Sequence, residues 1–416
     1  MAGATPLPRA LWCCAAWVAT SPSVHTATAA AAAACTTDGD CSLNGACQNG
    51  VCACDKPWSG PACDSMAFLP VAPVQGYGMS PNLTTWGGNA LYDEKTQEYH
   101  LFVSAMTNGC PLSTWGGNSR IEHAVAKTIT GPYTFKDVAI NTWAHNAAPV
   151  ALKDGTYAIF HIGTGAGPPD GGKNCSQDRA VGVAYAEEDR QRDLQDMASN
   201  EPSASAGSTI HYAASLDGPW LPLKVNTLGG CNNPAPWVHK NGTIYIVCGG
   251  SFRRSESISG PWTTVATFSH AGGPPGHYED PFLYNTDRGW HLIYHVYNTV
   301  EHPPHGHECV DSTVSAHAFS EDGFTWRTSA VQPYGTQVKL TTGETVTVAT
   351  RERPKLNFNV AGQMTHLFNG VCGAAACPHG PKTGCVDCKY GYWDYTLVQP
   401  LDLGTASSDE PPAFVV

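Results

Sequence analysis

Charge is scarce in this 416-residue chain: only 14% of its positions are Asp, Glu, Lys or Arg. Basic residues number 23 against 35 acidic ones, for a net charge of −12. Nothing in it resembles a phosphate-binding basic face, which argues against a nucleic-acid partner. Long apolar runs are also missing. Beyond the first 34 residues, none approaches the ~20 residues that a spanning helix requires, so no membrane span is expected. What the chain has instead is turn chemistry, with 43 glycines and 31 prolines, and aromatics at 10%. Such a composition points to an all-β protein. At 42% hydrophobic, the chain can build a sizeable core, and global disorder is excluded.

Residues 1–34 read as a signal peptide. Arg9 is the sole early positive charge, "ALWCCAAWVAT" is apolar, and "TATAAAAAA" offers small residues for cleavage. Of the 17 cysteines, Cys13 and Cys14 lie in this leader. The density of the others indicates disulfides and a secreted, extracellular location. Three sequons follow the same logic, at Asn82, Asn174 and Asn241.

Six cysteines crowd into "CTTDGDCSLNGACQNGVCACDKPWSGPAC". A segment this short cannot bury enough apolar surface to fold alone, so covalent staples must hold it. Spacing leaves their pairing open. The stretch resembles an EGF-like module, whose C-x-C-x-x-P-W-x-G-x-x-C ending is matched from Cys52 to Cys63. That resemblance implies a module over 35–64 with bridges Cys35–Cys47, Cys41–Cys52 and Cys54–Cys63. The acidic and amide pattern of its calcium-binding subclass is absent, so no metal is expected. The module reads as a spacer or adhesion element.

From about residue 66 the chain repeats. Five hairpin units recur: "NALYDEKTQEYHLFV", "PVALKDGTYAIFH", "PWVHKNGTIYIVC", "PFLYNTDRGWHLIYH" and "PKLNFNVAGQMTHLF". A second unit follows the first four, an alternating strand, a turn such as Gly131-Pro132, Gly218-Pro219 or Gly260-Pro261, then an aromatic. "GYWDYTLVQPL" would supply the equivalent strand of the fifth. Five copies of a four-stranded sheet predict a five-bladed β-propeller over 65–403, with a flexible tail over 404–416. Two insertions break the rhythm. Residues 166–206 contain "AEEDRQRDLQDMA", expected as a short solvated helix, and 299–311 hold His302, His305 and His307. Cys372, Cys377, Cys385 and Cys388 are expected in disulfides rather than around zinc.

Aligning the repeats on their prolines brings equivalent segments to the funnel. Blade one offers Trp86 and Asn89, blade two His145 and Asn146, and blade three Asn232 and Asn233. Blade four offers Tyr278, Glu279 and Asp280, and blade five Arg351, Glu352 and Arg353. Amides, aromatics, guanidinium groups and carboxylates are what a sugar site requires. Glu279, Asp280 and Glu352 on neighbouring blades are the expected catalytic carboxylates, one acting as acid and another as base or nucleophile. The remaining residues are expected to bind substrate. Strand alternation predicts that Glu279 and Asp280 point to opposite faces.

The repeat region resembles the five-bladed propeller superfamily of arabinanases, xylosidases, levansucrases and invertases. Asp280-Pro281 has the form of their Asp-Pro base or nucleophile. Glu279-Asp-Pro281 and Glu352-Arg-Pro354 have that of their Glu-x-Pro acid. The resemblance implies a glycoside hydrolase with a carbohydrate substrate and no cofactor. It departs from the pattern at Gly88 and Asn89, and again near Val150, where an acid belongs. Two other functions stay open: a glycan-binding propeller without turnover, and a polysaccharide lyase using His145 and Tyr278 with Arg351 or Arg353.

Overall fold

The computed structural model describes residues 34–80, 83–175, 207–223, 228–268, 278–296, 313–359, 361–373 and 394–404. The leader, the acidic stretch of the first insertion, the His302–His307 loop, Asn82, Cys377, Cys385, Cys388 and the tail from 405 lie outside these residues.

The described residues open with the stapled module. Strands β1 (Gly45–Gln48) and β2 (Val51–Cys54) pair antiparallel, as do β3 (Trp58–Ser59) and β4 (Ser65–Met66). Its disulfides are Cys35–Cys47, Cys41–Cys52 and Cys54–Cys63, the pairs that the EGF-like resemblance implies.

Five four-stranded antiparallel sheets follow. Blade one is β5 (Thr85–Asp93), β6 (Glu98–Met106), β7 (Ser119–Ala126) and β8 (Thr134–Ile140). The short helix α1 (Trp115–Asn118) lies between β6 and β7. Blade two is β9 (His145–Ala151), β10 (Tyr157–Ile162), β11 (Ser208–Ala213) and β12 (Leu221–Pro222). Blade three is β13 (Ala235–Val238), β14 (Ile244–Cys248), β15 (Ser251–Ser255) and β16 (Thr263–Thr267). Blade four is β17 (Tyr278–Thr286), β18 (Gly289–Val296), β19 (Ser315–Ser320) and β20 (Arg327–Thr328). Blade five is β21 (Gln337–Lys339), β22 (Thr345–Phe358), β23 (Met364–Gly373) and β24 (Asp394–Pro400).

Each sheet packs against the next on both sides, and the hydrophobic clusters follow the ring. Phe102, Ile121, Ala147 and Ile159 join blades one and two; Phe160, Ile210, Val238 and Ile246 join two and three. Val247, Phe252, Leu283 and Leu292 join three and four, and Tyr284, Ile293, Leu356 and Leu367 join four and five. Ala90, Leu101, Phe368 and Val398 close five onto one. Covering both faces of every sheet explains why the middle strands read as near-continuous apolar runs. The Gly-Pro turns repeat too: Gly131, Gly218 and Gly260 all have φ +78°, a conformation that favours glycine.

Blade five departs from the tandem pattern. β21 pairs with the front of β22, while the edge beside β24 is taken by residues from the start of the propeller. Tyr77 and Thr396 exchange backbone hydrogen bonds at 3.1 and 2.9 Å, and Leu69 N donates to the Pro400 carbonyl at 2.9 Å. The two ends of the repeat region thereby clasp each other.

The EGF-like module is not a free spacer. Trp58 is buried, with its ring 5.0 Å from the His317 ring of β19, and Met66 N donates to the Pro333 carbonyl at 2.9 Å. Arg288 pairs with both Asp38 and Asp55. Cys35, Cys41 and Cys63 belong to the same apolar cluster as Tyr284 and Leu367. The module and blades four and five share one core.

Candidate active site

The innermost strands are β5, β9, β13, β17 and β22; each has a left-handed residue, close to the start of β5, β9, β13 and β17 and well inside the long β22. These residues are Gly87, Asn146, Asn233, Asp280 and Arg353, with φ of +67°, +56°, +51°, +52° and +52°. In four blades the ladder slips at this point, between Trp86 and Asn89, opposite Phe160 and Ile162, between Glu279 and Phe282, and between Glu352 and Lys355. A β-bulge of this kind re-aims a side chain and breaks strand alternation. Here the left-handed residues turn their side chains to the axis.

Four of them meet there. Arg353 Nη1 donates to Asp280 Oδ1 at 2.6 Å and to Asn233 Oδ1 at 3.3 Å. Asn146 Nδ2 donates to Asn233 Oδ1 at 2.8 Å and to Asp280 Oδ1 at 3.3 Å. Asp280 is fully buried, and Asn146 nearly so. The fifth position has no side chain. A Cβ on Gly87 would lie 3.1 Å from Cβ and Cδ of Arg353, whose side chain covers the glycine.

One residue before the left-handed position, two of the blades add a second tier. In blades four and five these are Glu279 and Glu352, whose side chains are 48% and 12% exposed. His295 of β18 lies between them. Its Nδ1 is 4.0 Å from Glu279 Oε2, and its Nε2 is 3.7 Å from Glu352 Oε1. Thr350 Oγ1 donates to Glu352 Oε1 at 3.2 Å, and Asn369 Nδ2 to the Glu352 carbonyl at 3.1 Å. Glu279, Asp280 and His295 bring ligand-type atoms within 4.8 Å of one another, so both adjacent carboxylates face the same space. The bulge overturns the expectation that they point apart. The Arg353 guanidinium already supplies a cation to this cluster.

The structure thus gathers Asn146, Asn233, Glu279, Asp280, Glu352 and Arg353, and sets other sequence candidates elsewhere. Arg351 is fully buried away from the funnel, stacked 4.8 Å from Tyr334 and 5.2 Å from Phe68, with Nε donating to Asn369 Oδ1 at 2.8 Å. Burial lowers its pKa to about 10. Strand alternation sends it outward where Glu352 points in. Trp86 is buried among Met106, Leu112 and Trp115, so it offers no platform to a sugar. His145 is sealed beneath Trp115, ring to ring at 5.1 Å, and shares a 2.7 Å hydrogen bond with Ser119 Oγ. Burial holds it well below the ordinary histidine range. Of the groups that a lyase would use, His145 and Arg351 are buried away from the funnel, while Arg353 stands at its floor. Asn89 lines the axial channel below, with Nδ2 donating to the Leu356 carbonyl at 3.3 Å, and Asn232 is exposed. Tyr278 lies at the start of β17; its side chain is outside the described residues.

His295 is a site residue absent from the candidates that the sequence offered. Its signal was register: in the β17–β18 hairpin it stands opposite Glu279. Two rim features are also defined. The Cys110–Cys175 disulfide ties the beginning of the first insertion to blade one, where Asn118 Nδ2 donates to the Lys173 carbonyl at 2.8 Å. Cys231 and Cys248 form a further disulfide in blade three. Asn174 and Asn241 are both exposed.

Comparison with known proteins gives the following. Residues 37–66 match the family model of the Teneurin-like EGF domain. No curated protein matches the chain by sequence. Among solved structures, the chain is similar to a family 117 glycoside hydrolase from the marine bacterium Zobellia galactanivorans. Identity is 12%, coverage is 82% of this chain and 91% of that one, and the TM-score is 0.46. It is similar also to the endo-arabinase of Bacteroides thetaiotaomicron (12% identity, 82% and 99% covered, TM-score 0.41). A third is the fructofuranosidase of Schwanniomyces occidentalis (10% identity, 80% and 57% covered, TM-score 0.46). Among the described residues, no helix is long and apolar enough to cross a membrane.

Proposed function

We propose that this is a secreted glycoside hydrolase acting on a polysaccharide or oligosaccharide through Glu279 and Glu352. The observation that carries the reading is that these two carboxylates come from adjoining blades and flank His295, 4.0 Å from one ring nitrogen and 3.7 Å from the other. Glycoside hydrolysis needs one carboxyl to protonate the leaving oxygen and another to act on the opposite side of the anomeric carbon. Glu352 is the more enclosed of the two, and we assign it the proton-donor role. Glu279 is open to water and takes the complementary one, accepting a proton as water adds to the anomeric carbon and the C–O bond breaks. Asp280 is not assigned proton transfer, because its Oδ1 is tied to Arg353 at the floor. Asp280 Oδ2 and Asn146 Oδ1 are buried acceptors with no protein partner among the described residues, suited to sugar hydroxyl donors.

A second reading has its own observation. Blade one places Gly87, not an acid, at the axial position, and Asp280 is engaged by Arg353. A funnel of this kind could hold a glycan without cleaving it. Screening the secreted protein against a polysaccharide panel, with product analysis, separates the two. Turnover that disappears in Glu352→Gln and Glu279→Gln, while binding persists, supports hydrolysis. Saturable binding without reducing-end release supports the glycan-binding reading.

A further inference from the structure

Beyond the carboxylate tier the inner strands continue down the axis and line a partly open cavity of about 130 Å³. Its wall is apolar on most sides: Val150, Trp237, Phe282, Leu356 and Phe358 line it. Its one ammonium-bearing lining residue is Lys355, two residues past the bulge of β22. Lys355 is 2% exposed, yet among the described residues its Nζ has only a 3.3 Å hydrogen bond to the carbonyl of adjoining Pro354. A lysine ammonium has three N–H donors, and a buried charge without partners is costly. Nearby Asp280 gives it no hydrogen bond: its Oδ1 is held by Arg353 and Asn146, and its Oδ2 has no hydrogen-bond partner among the described residues.

From this juxtaposition we infer that the axial cavity is a second ligand site, distinct from the carboxylate tier, for a small amphiphilic monocarboxylate. Its anionic head would accept hydrogen bonds from Lys355, and its apolar body would lie against Trp237, Phe282 and Phe358. The volume matches a single ring or a short aliphatic chain, being close to the roughly 150 Å³ of an engineered cavity that accepts benzene. Burial lowers the Lys355 pKa to about 8; Asp280 pulls it upward, and Arg353 pushes it down again. The amine is therefore mainly cationic at neutral pH, and a bound anion favours that form.

Calorimetric titration of the full-length protein with benzoate, and separately with benzyl alcohol, tests the site. One benzoate per chain is expected, with benzyl alcohol at least tenfold weaker. Lys355→Met is expected to weaken benzoate at least tenfold while leaving benzyl alcohol nearly unchanged. Ala148→Leu, which narrows the cavity and keeps the amine, is expected to abolish both. Absence of benzoate binding to the wild type, equal affinity for the two probes, or benzoate binding unaffected by Ala148→Leu overturns the proposal. The alcohol comparison and Ala148→Leu decide it even if Lys355→Met does not fold. Hydrolytic activity does not enter any arm of the test.

Discussion

Asp280 and Arg353 come from adjoining blades in the same left-handed conformation, φ +52° each, and their side chains meet at 2.6 Å. The pair closes the floor of the funnel, and Asn146 and Asn233 hydrogen-bond into it from the other side. Its position, more than its charge, tells the two tiers apart. The lower tier is built and buried; the upper one, Glu279 and Glu352, is open for chemistry.

Removing one partner of a buried ion pair strands the other, at a cost of about 3–5 kcal/mol. Arg353 retains 12% side-chain exposure, so the lower end of that range applies. Asp280→Asn is therefore expected to lose about 3 kcal/mol of stability, read as a lower urea midpoint with unchanged slope. A midpoint equal to that of the wild type would show that the pair is not a structural element.

The upper tier predicts a different pattern. Glu352→Gln and Glu279→Gln each preserve size and leave the floor intact, so their melting temperatures should stay close to wild type. Loss of general acid or base function typically costs about 10²–10⁴ in rate. On a substrate found by screening, kcat should fall by that order with KM little changed. His295→Asn should fall less steeply, because His295 touches both carboxylates and is assigned no proton of its own. Activity retained in both glutamine variants would remove the hydrolytic mechanism.

Acid should unfold the propeller early. Three blades repeat a buried His–His hydrogen bond: His100–His123 at 2.8 Å, His161–His211 at 2.8 Å and His291–His317 at 3.0 Å. Burial holds these rings neutral, with His100 and His161 at about 4 and His211 and His317 at about 3. The unfolded chain protonates near the ordinary value of 6.5, above the folded values. Their contribution is present above that pH and is lost as pH falls toward 4. Each ring that protonates only on unfolding adds a slope of about 1.4 kcal/mol per pH unit. Melting temperature against pH should drop steeply from 6.5 to 4, and His211→Asn should flatten it. A flat profile over that range would contradict neutral buried pairs.

Much of this architecture was legible. The hairpin repeats and their Gly-Pro turns carry local signals, and aligning the repeats on their prolines brought the segments that hold Asn146, Asn233, Asp280 and Arg353 to the funnel. The bulge was not legible, because an extra residue leaves no mark on apolar periodicity, and alternation therefore set Glu279 and Asp280 on opposite faces when both face one space. Arg351 and Trp86 were misplaced for a related reason: proximity in sequence to a funnel residue does not say on which side of the sheet a side chain emerges. The clasp between Tyr77 and Thr396 escaped too, since the pairing residues are separated by nearly the whole propeller and share no local motif.

Gly87 offers a direct check of the column. Its φ of +67° costs an L-residue about 1–2 kcal/mol, and an added Cβ would press on the Arg353 side chain at 3.1 Å. Gly87→Ala should therefore destabilise by at least that amount. It should also move the Arg353 guanidinium, so combining it with Asp280→Asn should give less than the sum of the two single effects. Full additivity in that double-mutant cycle would mean that Gly87 and the floor are uncoupled.

The EGF-like module packs on blade four through Trp58. Trp58 is 1% exposed and packs on His317, so the module's core and that of blade four are continuous. Trp58→Ala is expected to cost about 3–5 kcal/mol, as truncation of a buried aromatic does. Calorimetry gives the sharper readout. If the two parts share one core, the wild type unfolds in a single transition, and Trp58→Ala lowers its temperature without splitting it until the interface is lost. A module that served only as a tether would unfold separately in the wild type, and the variant would leave the propeller's transition where it was. The Arg288 pairs with Asp38 and Asp55 are exposed enough to be screened by salt, so adding salt should change either outcome little.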